Sequence, residues 1–575
     1  MRRLHFAFSY RILQTHLVLS VRIVYHFFTM QICSSSRPSG YLSVVLHAHL
    51  PYIRYPENAS HLEERWLYEA ITESYIPLLD LLENLLSDNV DFRITLSLTP
   101  TLIEMIRDAL LMSRYGQYLD NLIDLAEKEV CRNRGHAAIR PLAAMYLRRF
   151  LRIRYLFDKV YRKDLISAFG SLTSTGKIEL ITSTATHAFL PALITTPLAA
   201  EAQIQLGVDH HYRTFGKEPE GMWLPECGFV PALDAILGKN GIKYFFLESH
   251  GLLNSSPASK YSIYSPVITP AGVVAFARDV ESSRQVWSSA GGYPGDFDYR
   301  DFYHDIGFDL DDDYLKPHLP GGIRTFTGFK YYRITGRSDR KRPYVPKQAL
   351  KKARIHANHF VSEKNNQILF LSERLKISPV VTAAYDAELF GHWWFEGPEW
   401  LRSILTKGHH KKNSFRFTTP SEYISEHREI QSAMPSASSW GDKGYSSTWI
   451  HPSNKWIYKH LHRAAILLAR ISLRNIHARG LFKRALNQAL RELLLAQSSD
   501  WPFMMKTGNA AAFAENKIRE HLKNFLDLHR EISSGCIERT NLLRLEQKNN
   551  IFKDADFRVY TNRKQADQLK SFSKG

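Results

Sequence analysis

Seven short runs of apolar and β-branched residues punctuate the chain. They are YLSVVLHA (41–48), FRITLSL (92–98), IELITST (178–184), GMWLP (221–225), KYFFLES (243–249), VVAFARD (273–279) and PVVTAAYD (379–386). Stretches with helical spacing fill the intervals between them. That alternation is the signature of repeated βα units around a parallel sheet. The interval between the second and third runs is about 80 residues long and includes LLMSRYGQYLDNLIDLAEKEV, so one connection is expected to be a helical excursion. Past residue 500 the pattern is helical and polar. FAENKIREHLKNFLDLHREI (513–532) is amphipathic and is expected to pack on the barrel that such a sheet forms, and the last dozen residues are expected to be loose.

The chain has 575 residues, of which 44% are apolar, enough to bury a full core and to exclude a disordered class. Four cysteines, at 33, 131, 227 and 536, show no CxxC spacing. They argue against a disulfide framework or zinc knuckle and fit a reducing compartment, so a cytoplasmic location is expected. Net charge is +18; residues 1–29 hold four arginines and no acid, and the remainder is still strongly basic. The densest run, RSDRKRPYVPKQALKKAR (337–354), sets eight Lys or Arg against Asp339. It reads as a solvated loop and helix face. No RNP, zinc-finger or helix-turn-helix pattern supports a nucleic-acid partner.

The segment before Glu57, the first acidic residue, stands apart. Its apolar stretch ILQTHLVLSVRIVYHFFTMQIC is broken by His16, Arg22 and His26, which speaks against a membrane span. Residues 1–39 are read as an extension dispensable for the fold, with Met30 as the initiator in preference to a targeting segment or a basic arm.

Polar residues gather where the runs end: His47, His187, Glu226, Glu248 and Asp386 each sit at or just past one of them. In a parallel barrel those ends share one face, so residues distant in sequence converge there. Glu226, in GMWLPECGF, stands in an apolar setting where an unpaired carboxylate is expensive. Two carboxylates across such a pocket can divide acid and nucleophile work on a glycosidic bond. Trp223, Trp287, Trp393, Trp394, Trp440 and Trp449 offer flat apolar faces suited to sugar rings, although core packing is the plain alternative for each. Asp296 and Asp298, in GYPGDFDYR, read as loop-fixing. The HAH sequence at 47–49 leaves room for a metal-dependent polysaccharide deacetylase, but a metal needs a third ligand and an outer shell. A non-catalytic glucan-binding protein is a further alternative.

Nine blocks in order, among them HAHLPYIR (47–54), ITSTATHAFLP (181–191), GMWLPECGF (221–229), LESHG (247–251), YDAELFGHWWFEGPEWL (385–401), SSWGDKGYSSTWI (438–450) and LLLAQSSDWPF (493–503), resemble glycoside hydrolase family 57, and within it the 1,4-α-glucan branching enzymes. The resemblance runs from about residue 41 to 565. It implies an α/β fold: an incomplete (β/α)7 barrel with helical insertions, followed by an α-helical C-terminal domain that completes the substrate groove. The expected division is 1–39 extension, 40–405 barrel, 406–545 helical domain and 546–575 tail.

The implied activity is retaining transfer of an α-1,4-glucan segment to a 6-hydroxyl, with α-1,4-glucan as both donor and acceptor and neither cofactor nor metal. Glu226 matches the nucleophile and Asp386 the acid/base. His47 and His187 match residues that contact the sugar at the cleavage site; His49 either joins them or hydrogen-bonds within the barrel. Trp287, Trp440 and Trp449 match groove tryptophans, Trp223 is placed with them as substrate-binding, and Tyr261 resembles a loop-tip tyrosine that shields the intermediate. A 4-α-glucanotransferase or an amylase-like hydrolase of the same family would keep both carboxylates. Two departures stand out: near residues 55–61 only Tyr55 offers a flat face, and Ala188 replaces a common Gly.

Overall fold

Strand β1 (Gly40–Ala48) is the hub of the sheet, and all nine of its residues are buried. One edge pairs in parallel with β8 (Val380–Asp386), and the other with β2 (Ile94–Leu98) along its second half and β9 (Phe415–Phe417) along its first. From β2 the parallel ladder continues through β3 (Ile178–Ser183), β4 (Gly221–Trp223) and β5 (Tyr244–Leu247) to β7 (Val274–Ala277). β6 (Val267–Ile268) runs antiparallel to β7, and β10 (Gln431–Ser432) pairs with β6. The computed structural model describes residues 38–58, 61–288, 291–336, 338, 340–410 and 412–561. The reading of residues 1–37 as an extension, the choice of Met30 as initiator, and the looseness of the last dozen residues lie outside the described residues.

All seven sequence-predicted strands form, and each is a member of this curled sheet. With the helices around it the sheet is an incomplete (β/α)7 barrel, and a helical C-terminal part follows. β6, β9 and β10 went unread because two or three residues carry no periodicity. The long connection between β2 and β3 is helical as expected, with helices Pro100–Arg107, Ala109–Arg132, Arg140–Tyr155 and Leu165–Leu172.

The barrel does not close by a ladder between β7 and β8. A single backbone bond spans the seam, from the Asp279 N–H to the Thr382 carbonyl at 2.8 Å. Helix Val280–Trp287 fills the gap. Asp279 caps it by accepting from the Ser282 amide (2.8 Å) and hydroxyl (2.6 Å), and the Tyr385 hydroxyl donates to the Ser282 carbonyl at 3.1 Å. Lys364, from the long helix Pro346–Leu375, meets Asp279 at 3.3 Å, and Gln367 donates to its other oxygen at 3.1 Å. The two charged residues are 1% and 2% exposed, so each depends on the other for compensation.

The helical part comprises Trp456–Arg474, Gly480–Ala496, Asp500–Thr507, Ala511–Ser534 and Arg539–Lys548. The amphipathic segment at 513–532 lies in Ala511–Ser534, but its chief partner is Gly480–Ala496 and not the sheet. Leu486, Leu490, Leu493 and Leu494 of that middle helix are buried beside Ile518, Phe525 and Leu528. Buried Glu492 accepts from His521 (2.8 Å) and Asn524 (3.2 Å) across the pair. Beyond residue 546 the chain stays packed as far as it is described: Ile551, Phe557 and Tyr560 are fully buried. The basic run is also less free than its composition suggests. Lys341 pairs with Asp301 at 2.8 Å, Lys352 with Asp296 and Asp298 at 3.6 and 3.5 Å, and Arg354 with Glu399 at 2.6 Å. Asp296 also accepts the Asp298 amide at 2.9 Å, a turn-fixing bond. Among the described residues no helix is long and apolar enough to cross a membrane.

Replacing Lys364 by Met leaves Asp279 charged and buried at the seam. The expected loss is about 3–5 kcal/mol of unfolding free energy. Chemical denaturation followed by tryptophan fluorescence measures it, and an unchanged midpoint would refute this account of the seam.

Candidate active site

β4 ends at Trp223, and the chain turns sharply through Pro225–Cys227. Glu226 (φ 63°) and Cys227 (φ 49°) both lie in the left-handed region, a conformation that stores about 1–3 kcal/mol for a non-glycine residue. The turn aims the Glu226 side chain into the barrel mouth. Two segments from far along the chain hold it there. Ser499 Oγ donates to Oε1 at 2.8 Å and Trp440 Nε1 to Oε2 at 2.7 Å, while the Trp440 amide donates to the Glu226 carbonyl at 2.9 Å. Burial pushes the carboxyl up to about 7 against the pull of these two donors.

Asp386 closes β8, in register beside His47 of β1. Burial holds its carboxyl well above the usual carboxylate range, and the charges of Glu388 and Glu226 push the same way, with Arg278 opposing. Glu388 is itself buried and accepts from the His49 amide at 3.1 Å and from the Tyr75 hydroxyl. Three carboxyls thus line one site. Mutual repulsion favours one ionised group beside a protonated one.

The three histidines lie against one another. His47 Nε2 and His187 Nε2 are 3.0 Å apart; His47 Nδ1 meets Ser97 Oγ at 3.0 Å, and His187 Nδ1 meets Ser499 Oγ at 2.9 Å. Burial, then the nearby charge of His49, holds both His47 and His187 well below the usual imidazole range. His49 stacks on His187 with ring centres 3.7 Å apart, and bonds Thr99 through Nδ1 (3.1 Å) and Asp500 through Nε2 (3.1 Å).

These groups line a cavity of about 720 Å³. His47, His49, His187, Glu226, Asp386, Trp287, Trp440 and Trp449 all face it. Trp287, 42% exposed, stands at the end of the seam helix, edge-on to Trp440 with centroids 6.3 Å apart. Trp449 is backed by Phe189, whose ring is 4.7 Å away. Gly441 allows its close approach, because a Cβ there would sit 2.6 Å from the Trp449 ring.

Two expectations meet a different geometry, and Tyr55 bears on the departure near residues 55–61. Trp223 is fully buried and stacks behind His47 at 4.6 Å, so it supports the histidine and offers no face to a sugar. Tyr261 does not line the cavity; its carbonyl closes a turn with Tyr264. Tyr55 is buried, with His61 stacked at 3.6 Å and the Lys517 ammonium 4.3 Å from its ring centre, and so provides no open platform. Glu248, the other strand-end acid, is tied to Arg278 at 2.8 Å, and the Arg278 guanidinium lies 4.8 Å from the Trp440 ring centre. Of the adjacent pair, Trp394 is buried and Trp393 is exposed against Phe302.

Ser499, Asp500, Glu388 and Arg278 also line or support the cavity, and none was singled out from sequence. The available signal was the polar quartet of Gln497, Ser498, Ser499 and Asp500 between the apolar runs LLLA and WPF. It reads as an ordinary helix start. Ser499 does occupy the cap position of Asp500–Thr507, yet its hydroxyl makes no capping bond and turns to Glu226 instead.

His49, His187 and Asp500 lie close enough to suggest a metal site. Their geometry does not fit one. A ligating imidazole points its lone pair in the ring plane, about 2.0–2.1 Å from the ion. Rings stacked 3.7 Å apart at 17° would place a shared ion over their faces. Three of the four ring nitrogens also have a protein partner outside this trio.

The family model for glycosyl hydrolase family 57 matches residues 43–435, and a second, for the C-terminal part of 1,4-alpha-glucan branching enzymes, matches residues 460–560. A 1,4-alpha-glucan branching enzyme of Thermococcus kodakarensis is 33% identical over 89% of this chain and 77% of its own length. A probable 1,4-alpha-glucan branching enzyme of Mycobacterium tuberculosis is 28% identical over 87% of this chain and 94% of its own. Among solved structures, the alpha-amylase AmyC of Thermotoga maritima superposes with a TM-score of 0.85 at 41% identity, covering 91% of this chain and 99% of that one. The branching enzyme of this type from Pyrococcus horikoshii gives 0.82 at 30%, covering 91% and 97%. With the family model matched over residues 43–435 and a relative 33% identical over 89% of the chain's length, this chain belongs to glycosyl hydrolase family 57.

Proposed function

We propose that this chain is a retaining 1,4-alpha-glucan branching enzyme, with Glu226 as nucleophile and Asp386 as acid/base. The observation that carries the reading is a pair of unlike carboxyls in one tryptophan-walled cavity. Glu226 is gripped by two donors that favour its anion, and Asp386 is buried among negative charge that favours its acid form. Protonated Asp386 gives its proton to the 4-oxygen of the leaving glucan as Glu226 attacks the anomeric carbon, forming a covalent glucanyl-enzyme. Asp386, now ionised, takes the proton from a 6-hydroxyl of an acceptor glucan, which displaces Glu226 and closes an α-1,6 linkage. The neutral imidazoles of His47 and His187, with His49 beside them, lie within the cavity wall as partners for sugar hydroxyls, and Trp287, Trp440 and Trp449 as stacking faces.

Transfer over hydrolysis requires the acceptor to reach the intermediate before water does. The segment matched by the branching-enzyme C-terminal model supplies Asp500 and Phe503 to the cavity and Ser499 to Glu226 behind it, which favours the branching reading. The likeness to the Thermotoga alpha-amylase favours a second reading, α-glucan hydrolysis by the same two carboxyls. We divide the chain into a barrel at 40–405, a groove-completing helical domain at 406–545 and a tail at 546–575, and place the protein in the cytoplasm. The exposed, free Cys131 and Cys536 support that location.

Incubation with amylose, followed by linkage analysis and enzymatic debranching, decides between the two readings: new α-1,6 branches are expected. Reducing ends alone would make the chain a hydrolase, and only rearranged α-1,4 chains a 4-α-glucanotransferase. Asp386→Asn is expected to lower kcat by about 100- to 10,000-fold, and Glu226→Gln by at least as much. The pH profile of kcat/KM should be bell-shaped. Activity rises as Glu226 ionises through about 7 and falls at higher pH as Asp386 loses its proton. An acid limb centred near an ordinary glutamate value would contradict the buried, raised nucleophile.

A further inference from the structure

Ionised Glu226 can only accept hydrogen bonds, so the Ser499 hydroxyl, 2.8 Å from Oε1, donates its one hydrogen there. Ser499 must then accept from His187 Nδ1, 2.9 Å away, which places the His187 hydrogen on Nδ1. A neutral His187 has a bare Nε2, and the facing His47 Nε2, at 3.0 Å, must carry the hydrogen between them. A neutral His47 has in turn a bare Nδ1 that accepts from the Ser97 hydroxyl at 3.0 Å. With Glu226 ionised and both rings neutral, as deep burial and mutual contact favour for the rings, no other assignment gives every contact one hydrogen.

We propose that Ser499 is a positioning residue for Glu226 and the terminus of a one-way hydrogen-bond relay, running from Ser97 through His47 and His187, that favours the ionised nucleophile. The proposal rests on the reading of Glu226 as nucleophile. Ser499 is pinned for this task at both ends, because its amide donates to the His187 carbonyl at 3.0 Å while its side chain bonds the same residue's ring. Protonating Glu226 at Oε1 would break the Ser499 bond or force all four links to reverse together. The relay therefore resists that proton, offsetting in part the burial that invites it. In the covalent intermediate Ser499 remains a donor to the same carboxyl and holds it for the second displacement.

Other ionisable groups face Glu226 as well: His187 (3.8 Å) and His49 from the third and first strand ends, Asp500 from the helix start, and Asp386, with Arg278 beside it, from across the cavity. None of them contacts Oε1 as closely as Ser499.

The test is the pH profile of kcat/KM on amylose for wild type, Ser499→Ala, Ser499→Thr and Ser97→Ala, with a thermal melt of each to confirm folding. Removing a hydrogen bond to a charged group should move the acid limb of Ser499→Ala up by about 1–2 pH units, so that its activity loss is at least tenfold larger on that limb than on the plateau. Ser499→Thr keeps a hydroxyl and should restore the wild-type limb. Ser97→Ala removes the first donor and should move the limb in the same direction by less. A uniform loss at all pH values in Ser499→Ala would overturn the positioning role. A wild-type limb in Ser97→Ala beside a shifted one in Ser499→Ala would overturn the relay. Glu226→Gln is the separate arm: if it stays active the nucleophile assignment fails, whereas an inactive Glu226→Gln with an unmoved Ser499→Ala limb leaves that assignment standing and removes only this proposal.

Discussion

The structure turns on one carboxylate held across a large sequence distance. Glu226 sits on a strained turn of the barrel, and the two hydrogen bonds that satisfy its side chain come from Trp440 and Ser499, 214 and 273 residues downstream. Neither half of the molecule completes this group alone. Much of the surrounding architecture serves to bring the C-terminal segments to the barrel mouth. Ala188 forms an isolated antiparallel bridge with Ser498, and Thr186 donates to the Leu494 carbonyl. Phe229 exchanges two backbone bonds with Ser438, two residues before Trp440. These contacts anchor the strand-end loops to the segments that supply the donors. A buried anion with no such donors would be expensive, and a looser dock would leave it so.

The fold was legible in the sequence because its central strands are long enough, and apolar enough, for their runs to stand out against the helical stretches between them. The strand-end positions of His47, His187, Glu226 and Asp386 were legible for a geometric reason: a parallel sheet places all such ends on one face. What escaped was the partner that only the fold supplies. Ser499 looks like a helix cap because the local chemistry of a cap and of a donor to a distant carboxylate is the same. Glu388, two residues past Asp386, looks like a helix-start acid, and only the fold shows it turned toward the His49 amide and Tyr75. Trp223 misleads in the opposite sense. An indole beside a candidate nucleophile suggests a sugar platform, but its place on a strand facing the barrel interior makes it a support for His47.

Charge followed a similar course. A basic run and an acidic loop about 40 residues apart look independent in sequence, yet the loop at 296–301 and Lys341 and Lys352 are partners. Lys341, Lys352 and Arg354 of that run are thus paired with acids inside the molecule, which is why composition alone says little about partners here.

The seam between β7 and β8 gives the cavity one wall unlike the others. At the strand ends the mouth is rimmed by loops rooted in ladders, and the C-terminal segments add Trp440, Trp449 and Phe503, whereas at the seam Val280, Ser283, Arg284 and Trp287 project from a helix of eight residues. Buried Val286 anchors its last turn in the core, and Asp279 and Ser282 bond its first turn into the sheet. The exposed positions beyond that turn can therefore change size or polarity without disturbing strand registry. Within this architecture, that helix is the place where the shape of the accepted chain can be retuned while the carboxyl pair keeps its geometry.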